Sequence, residues 1–172
     1  MLVITPAGPP DAALVAQLSR QTFYDTFAAD NTAADMELFM NGPFATATLV
    51  AEVGLPEHLF FIARERDEAL GYLKLSLSPN PPGLGDVPAI EIARIYAVKT
   101  AVGRGVGAAL MRQAFETAAA LGKAVIWLGV WEHNHRAIDF YTKWGFEKFG
   151  NHPFILGSDA QTDWLMRRAV AG

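Results

Sequence analysis

The sequence predicts an α/β domain: a mixed, mainly antiparallel sheet of about seven strands with helices on both faces. Three observations lead there. Short apolar or alternating segments read as strands at seven places, runs with helical spacing fall between several of them, and a loop of alternate glycines joins one strand to one helix. With 172 residues, 51% of them apolar, the chain suits one domain, residues 1–172, with a substantial core.

The elements follow in order. Leu2 to Thr5 reads as a strand stopped by Pro6 and the Gly8-Pro9-Pro10 run. From Asp11 the spacing turns helical, with Leu14, Leu18 and Phe23 on one side and Asp11 near the positive end of the helix dipole. A second helix starts after Asn31 or Thr32 and runs to Met40, and a third spans Ala45 to Val53. His58 to Arg66 and Leu70 to Leu77 are strands joined by a polar turn at Asp67-Glu68. In the latter, Leu73, Leu75 and Leu77 alternate with Tyr72, Lys74 and Ser76, which predicts one buried face. Pro79 to Pro88 carries four prolines and is a loop. Glu91 to Val98 is a strand, Ala108 to Leu121 a helix, and Lys123 to Val130 a strand, so this unit predicts one parallel right-handed crossover. A helix from Asn134 to Trp144 stops at Gly145, and strands at Glu147 to Leu156 and Thr162 to Arg168 form a hairpin through Gly157-Ser158-Asp159.

The glycine loop, Gly103-Arg104-Gly105-Val106-Gly107, carries the first chemical signal. Glycines let backbone N–H groups approach a ligand, and the unsatisfied N–H groups of the next helix point the same way, which makes an anion site suited to phosphate. A Walker loop is excluded, since no Gly-Lys-Ser/Thr follows. The dinucleotide fingerprint G-x-G-x-x-A is matched formally from Gly103 to Ala108, yet no acidic residue falls in Val125 to Val130 to hold a ribose.

The second signal is the block Asn134, Ala137, Phe140, Tyr141, Gly145 and Phe146. Together with the glycine loop it resembles the GCN5-related N-acetyltransferase (GNAT) superfamily, whose loop binds the pyrophosphate of acetyl-CoA. One departure is Val102, where that loop usually has Gln or Arg; Arg104 is placed to supply part of the missing charge. Thr22 to Phe27, Trp127 to Glu132 and Gln161 to Asp163 are similar to segments of bacterial PaiA-type polyamine acetyltransferases. The resemblance implies the GNAT fold, acetyl-CoA as cosubstrate, and backbone contacts to it from Ile95, Tyr96, Ala97 and Val98 and from Gly103, Arg104, Gly105, Val106, Gly107 and Ala108. It also implies cofactor contacts from Asn134 and Lys143. Asn134 reads equally as a helix N-cap, and Lys143 as a solvated helix-end lysine.

Acetylating an amine requires its deprotonation, which at pH 7 costs roughly 4.6 kcal/mol for an alkylammonium of pKa ~10.4. The resemblance offers Glu91 as the base, acting directly or through water, and Tyr141 as proton donor to the leaving thiolate. The resemblance also makes Phe23, Tyr24, Asp25, Phe27 and Glu132 candidate acceptor contacts, because helices after the first strand line the acceptor cleft in that superfamily, and aromatic plus acidic groups suit a cation on an aliphatic stem. The better reading of Phe23 and Phe27 is a core pair four residues apart, and that of His133 and His135 is loop histidines, since no third metal ligand accompanies them.

Composition narrows the function classes. The absence of cysteine removes disulfides, thiolate metal sites and an acetyl-cysteine intermediate, leaving direct transfer. A net charge of −4 without a basic cluster argues against nucleic-acid binding. The N-terminus lacks the basic and apolar regions of a signal peptide and no run suits a membrane span, so a cytoplasmic protein is expected. The resemblance implies a small cationic amine acceptor, polyamines such as spermidine or spermine first, and a homodimer is admitted. Competing classes are an acetyltransferase for a protein N-terminus, lysine, amino acid or antibiotic, a non-catalytic acetyl-CoA sensor, and a nucleotide-binding protein.

Overall fold

A computed structural model describes residues 1–171, and these form a seven-stranded sheet in the order β1-β2-β3-β4-β5-β7-β6. The strands are β1 (Leu2–Ala7), β2 (His58–Glu65), β3 (Glu68–Ser76), β4 (Ala89–Ala97), β5 (Val125–Trp131), β6 (Glu147–Leu156) and β7 (Asp159–Ala169). Five α-helices connect them: α1 (Ala12–Phe27), α2 (Ala33–Asn41), α3 (Thr46–Glu52), α4 (Val106–Ala120) and α5 (His135–Lys143). The expected elements are all present, with ends shifted by a few residues. Only β4 and β5 pair in parallel, through the crossover that contains α4. None of the described helices is long and apolar enough to cross a membrane.

Alternation in β2 and β3 shows how the layers form. Phe61, Ala63, Leu73 and Leu75 pack with Leu110, Met111 and Ala114 of α4, while Phe60, Ile62 and Tyr72 pack with Val15 and Leu18 of α1. Successive strand residues face opposite ways, so each of these strands serves two cores. This corrects the expectation of a single buried face on β3. Tyr72, Lys74 and Ser76 are buried as well, and the outlying Leu77 is exposed. Lys74 tolerates burial because Glu52 of α3 lies 3.3 Å away, within an ion cluster that also holds Arg94. The β2–β3 turn falls at Arg66-Asp67 rather than Asp67-Glu68, with Arg66 at a φ of 55°.

A third cluster is built almost wholly by local segments and β6. Phe23, Phe39 and Phe44 stack with centroids 4.5–5.0 Å apart, joined by Met36, Met40, Leu49 and Leu156. Thr32 caps α2 by accepting from Asp35 N, and Asp35 Oδ1 accepts from the Ser158 N–H (2.8 Å) and hydroxyl (2.6 Å). The tip of the β6–β7 hairpin is thereby tied to α2. Gly157 sits there at a φ of 64°, and a Cβ on it would come within 2.5 Å of Asp35 Cα.

Candidate active site

The cleft arises where two parallel strands stop pairing. β4 and β5 match only over Ala89–Val125, Ile90–Ile126 and Glu91–Trp127. At that point β4 carries an extra residue: Ile92 and Arg94 pair with consecutive residues of β3, and Ala93 between them is unmatched. Such a bulge bends and twists its strand and ends pairing. Beyond it the strands diverge around a cleft of about 560 Å³, lined by Ile92 to Ala97 on one side and Gly129 to Trp131 on the other. The edge of β4 that faces β5 is left without ladder partners over these residues, open to an extended, amide-bearing ligand.

At one end the cleft meets the glycine loop. Gly103 and Gly105 both have a φ of 84°, a region L-residues avoid, and a Cβ on either would touch nothing within 4 Å. Their need for glycine is therefore conformational. Gly105 caps α4 in the left-handed conformation, which turns the first N–H groups of that helix outward. Gly107 and Ala108 line the cleft too, beside Asn134, Arg136, Ala137 and Phe140. Asn134 Oδ1 accepts from Ala137 N at 3.2 Å, so it is the N-cap of α5, and the cap leaves its Nδ2 donor for a ligand.

Tyr141 of α5 is buried and lines the middle of the cleft. Burial raises its pKa, so the phenol is protonated at neutral pH. Tyr96 is raised likewise, first by burial and then by Tyr72. At the far end stand Phe23 and Phe27 of α1, Phe39 of α2, Phe44, and Phe154 and Leu156 of β6. Arg94 lies among them, held by two 3.0 Å hydrogen bonds to Glu52 and stacked 4.7 Å over the Phe44 ring. Among the described residues the one carboxylate on the lining is Asp163 of β7, whose pKa burial raises to about 6 against an opposing pull from His152.

A groove that pairs an open strand edge with a glycine-capped helix, around a buried tyrosine, suits an extended ligand that carries amides and phosphate. The model of the acetyltransferase (GNAT) family matches residues 20–146. The chain belongs to that family. Its acetyl donor is accordingly acetyl-CoA, and it is an N-acetyltransferase. The chain is 39% identical over 153 residues to an uncharacterized N-acetyltransferase from the pepI 3′ region of Lactobacillus delbrueckii subsp. lactis, covering 89% of this chain and 88% of the relative. An uncharacterized N-acetyltransferase of Mycobacterium tuberculosis is 31% identical over 132 residues, 77% of this chain and 80% of the relative. Among solved structures, PaiA N-acetyltransferase of Thermoplasma acidophilum in complex with coenzyme A matches with a TM-score of 0.75 at 16% identity, covering 98% of this chain and 99% of that one. The Salmonella typhimurium acetyltransferase yncA, solved with acetyl-CoA, matches at a TM-score of 0.73 and 17% identity over 100% and 95%. Both have the GNAT fold.

Within this GNAT chain the residues singled out from sequence divide cleanly. Ile95, Tyr96, Ala97, Gly103, Gly105, Gly107, Ala108, Asn134, Tyr141 and Phe27 line the cleft. Val98 and Val106 do not; they pack into the cores, Val106 beneath the loop it belongs to. Arg104 pairs with Glu65 at 2.6 Å, away from the lining. Lys143, Tyr24 and Asp25 are exposed, and Glu132 lies beside His133 off the cleft. Glu91 is half-buried at the closed end of the β4–β5 fork, accepting from Ser78 at 3.4 Å, and is not a lining residue. Its pKa is raised by burial, with Lys74 opposing. His135 opens α5 instead of lying in a loop. Sequence reasoning missed Arg94, Arg136, Phe39, Phe44, Phe154 and Asp163 as lining residues. For Arg94 and Asp163, period-two counting from a known bulge and a known register was the missing signal.

Proposed function

We propose that this acetyltransferase acetylates the primary amine of a small cationic acceptor by direct transfer. The observation that carries the reading is one cleft in which the glycine loop, the open edge of β4 and the protonated Tyr141 phenol meet. When bound, acetyl-CoA supplies the activated acyl group. The backbone N–H groups of Gly103 to Ala108 receive its phosphates, with Arg136 near the same lining and Arg104 and Lys143 at greater remove. Ile95 to Ala97 align its amide-rich arm, helped by the Asn134 Nδ2. Tyr141 faces the leaving sulfur. Full ionisation of an ordinary phenol by a thiolate of pKa ~8.5 is uphill by about 2 kcal/mol, and burial steepens it, so Tyr141 acts as a strong hydrogen-bond donor. Glu91, off the lining, receives a proton only through intervening water.

Spermidine or spermine is the first acceptor to try, because of the likeness of Thr22 to Phe27, Trp127 to Glu132 and Gln161 to Asp163 to PaiA-type enzymes. A second reading rests on the wall itself. Phe23, Phe27, Phe39, Phe44 and Phe154 line the same cleft as a single carboxylate, a make-up that suits one ammonium on an apolar body better than a chain of several ammonium groups. The test is thiol release from acetyl-CoA with spermidine, spermine and phenethylamine. Polyamine turnover supports the first acceptor and phenethylamine turnover the second. Acetyl-CoA binding with no turnover of any of the three overturns both acceptor readings.

A further inference from the structure

We propose that Asp163 holds the acceptor's ammonium and takes its proton directly, a role that Glu91 is not positioned to play without water. The proposal rests on the acetyl-transfer reading and adds a residue to it. Asp163 sits in the register of the sheet opposite Trp131 of β5 and His152 of β6, and among the described residues it is the only carboxylate lining the cleft. Gly129 leaves the space in front of it open, since a Cβ there would stand 3.6 Å from Asp163 Oδ2. Among the described residues no hydrogen bond or ion pair engages its carboxylate. An unpaired, half-buried carboxylate in an aromatic surround is a costly arrangement that a cationic ligand relieves. The Trp131 and Phe27 rings, 6.2 Å apart, line the same stretch and suit the face of an ammonium.

The groups facing Asp163 come from several elements. Tyr96 of β4 feels its charge, Tyr141 of α5 shares the lining, His152 lies across on β6, and Arg94 and Arg136 stand on the same cleft. Against these, burial dominates and the carboxyl titrates at about 6, near enough to neutrality to be ionised yet basic. One Asp163 oxygen accepts a proton from R–NH3⁺. The neutral nitrogen then bonds to the acetyl carbon as the C–S bond breaks. The nitrogen's second proton ends on sulfur with Tyr141 as the relay, and the proton on Asp163 returns to solvent.

The experiment pairs kinetics with a titration. Using whichever amine the wild type accepts, kcat/KM should rise with pH through about 6 and level off. In Asp163→Asn it should fall about 100-fold or more at pH 7 and keep climbing toward the amine's own pKa of ~10.4. Glu91→Gln should retain the limb near pH 6. Loss of that limb in Glu91→Gln, or its survival in Asp163→Asn, overturns the proposal. Separately, 13C-carboxyl NMR of the wild type, with Asp163→Asn for assignment, reads the group without turnover. A titration near 6 that phenethylamine moves downward supports the proposal, and one in the ordinary range below about 4 overturns it. If no amine is turned over, the transfer reading fails while this titration still decides the role of Asp163.

Discussion

The two ends of the cleft are made in different ways. The cofactor end is main chain: a glycine loop, the first turn of α4 and the unpaired edge of β4. The acceptor end is side chain, and the same side chains are a hydrophobic core. Phe23, Phe39, Phe44 and Leu156 line the cleft and also form the centre of the third cluster, with Phe27 and Phe154 packed against it. The contrast separates two kinds of constraint. At the cofactor end, binding depends on backbone conformation, so a substitution can weaken it with little effect on stability. At the acceptor end, no phenylalanine can change the pocket without changing the fold's interior.

The largest expected effect lies at the acceptor end. Phe39→Ala should cost about 3–5 kcal/mol of stability in urea unfolding, as an aromatic lost from a core. If stability holds, the wall is independent of the core and the contrast fails. Next, Tyr141→Phe should lower kcat about 100-fold with little change in the KM for acetyl-CoA, measured by steady-state thiol release. At the cofactor end, Gly105→Val forces a β-branched residue into a left-handed conformation at about 1–2 kcal/mol, which predicts roughly tenfold weaker acetyl-CoA binding by calorimetry. Phe27→Ala should raise the acceptor KM a few-fold and leave that for acetyl-CoA alone. The smallest effect concerns Asp35, whose pKa is lowered by the hydrogen bonds from Ser158. A depressed carboxyl pKa stabilises the fold above its unfolded value near 3.9, and the benefit is lost as pH falls through the lower folded value. Asp35→Asn should therefore be less stable than wild type at pH 7, and the two should converge below about pH 4 in acid-unfolding curves.

The same contrast explains what could be read from the sequence. Local rules give the elements: Pro9 and Pro10 end one segment, Thr32 and Asn134 cap two helices, and the β4–α4–β5 unit is continuous in the chain. The glycine loop is legible because a positive φ leaves a residue type behind as its trace. Nothing local brings Phe154 beside Phe39, or Asp163 opposite Trp131. Those neighbours depend on the strand order, in which β7 enters between β5 and β6, and on registers set by packing. Lys74 and Arg94 were unreadable for a related reason: their burial depends on Glu52, supplied from a helix outside the sheet. Arg104 points the other way, since a cation beside a phosphate loop found a closer carboxylate in Glu65.

The unmatched Ala93 has a genetic consequence. Because the fork between β4 and β5 begins where β4 holds one residue more than its neighbour can pair, the reaction chamber depends on a count, not on an identity. Exchanging Ala93 for another small residue would register little, since alanine contributes no functional group. Deleting that single codon would set Ile92 and Arg94 side by side against Leu75 and Lys74, giving a continuous ladder in which later residues keep their partners while the bend that parts β4 from β5 is lost. Insertions and deletions, rather than substitutions, are thus the changes by which such a chamber can be opened or closed in one step.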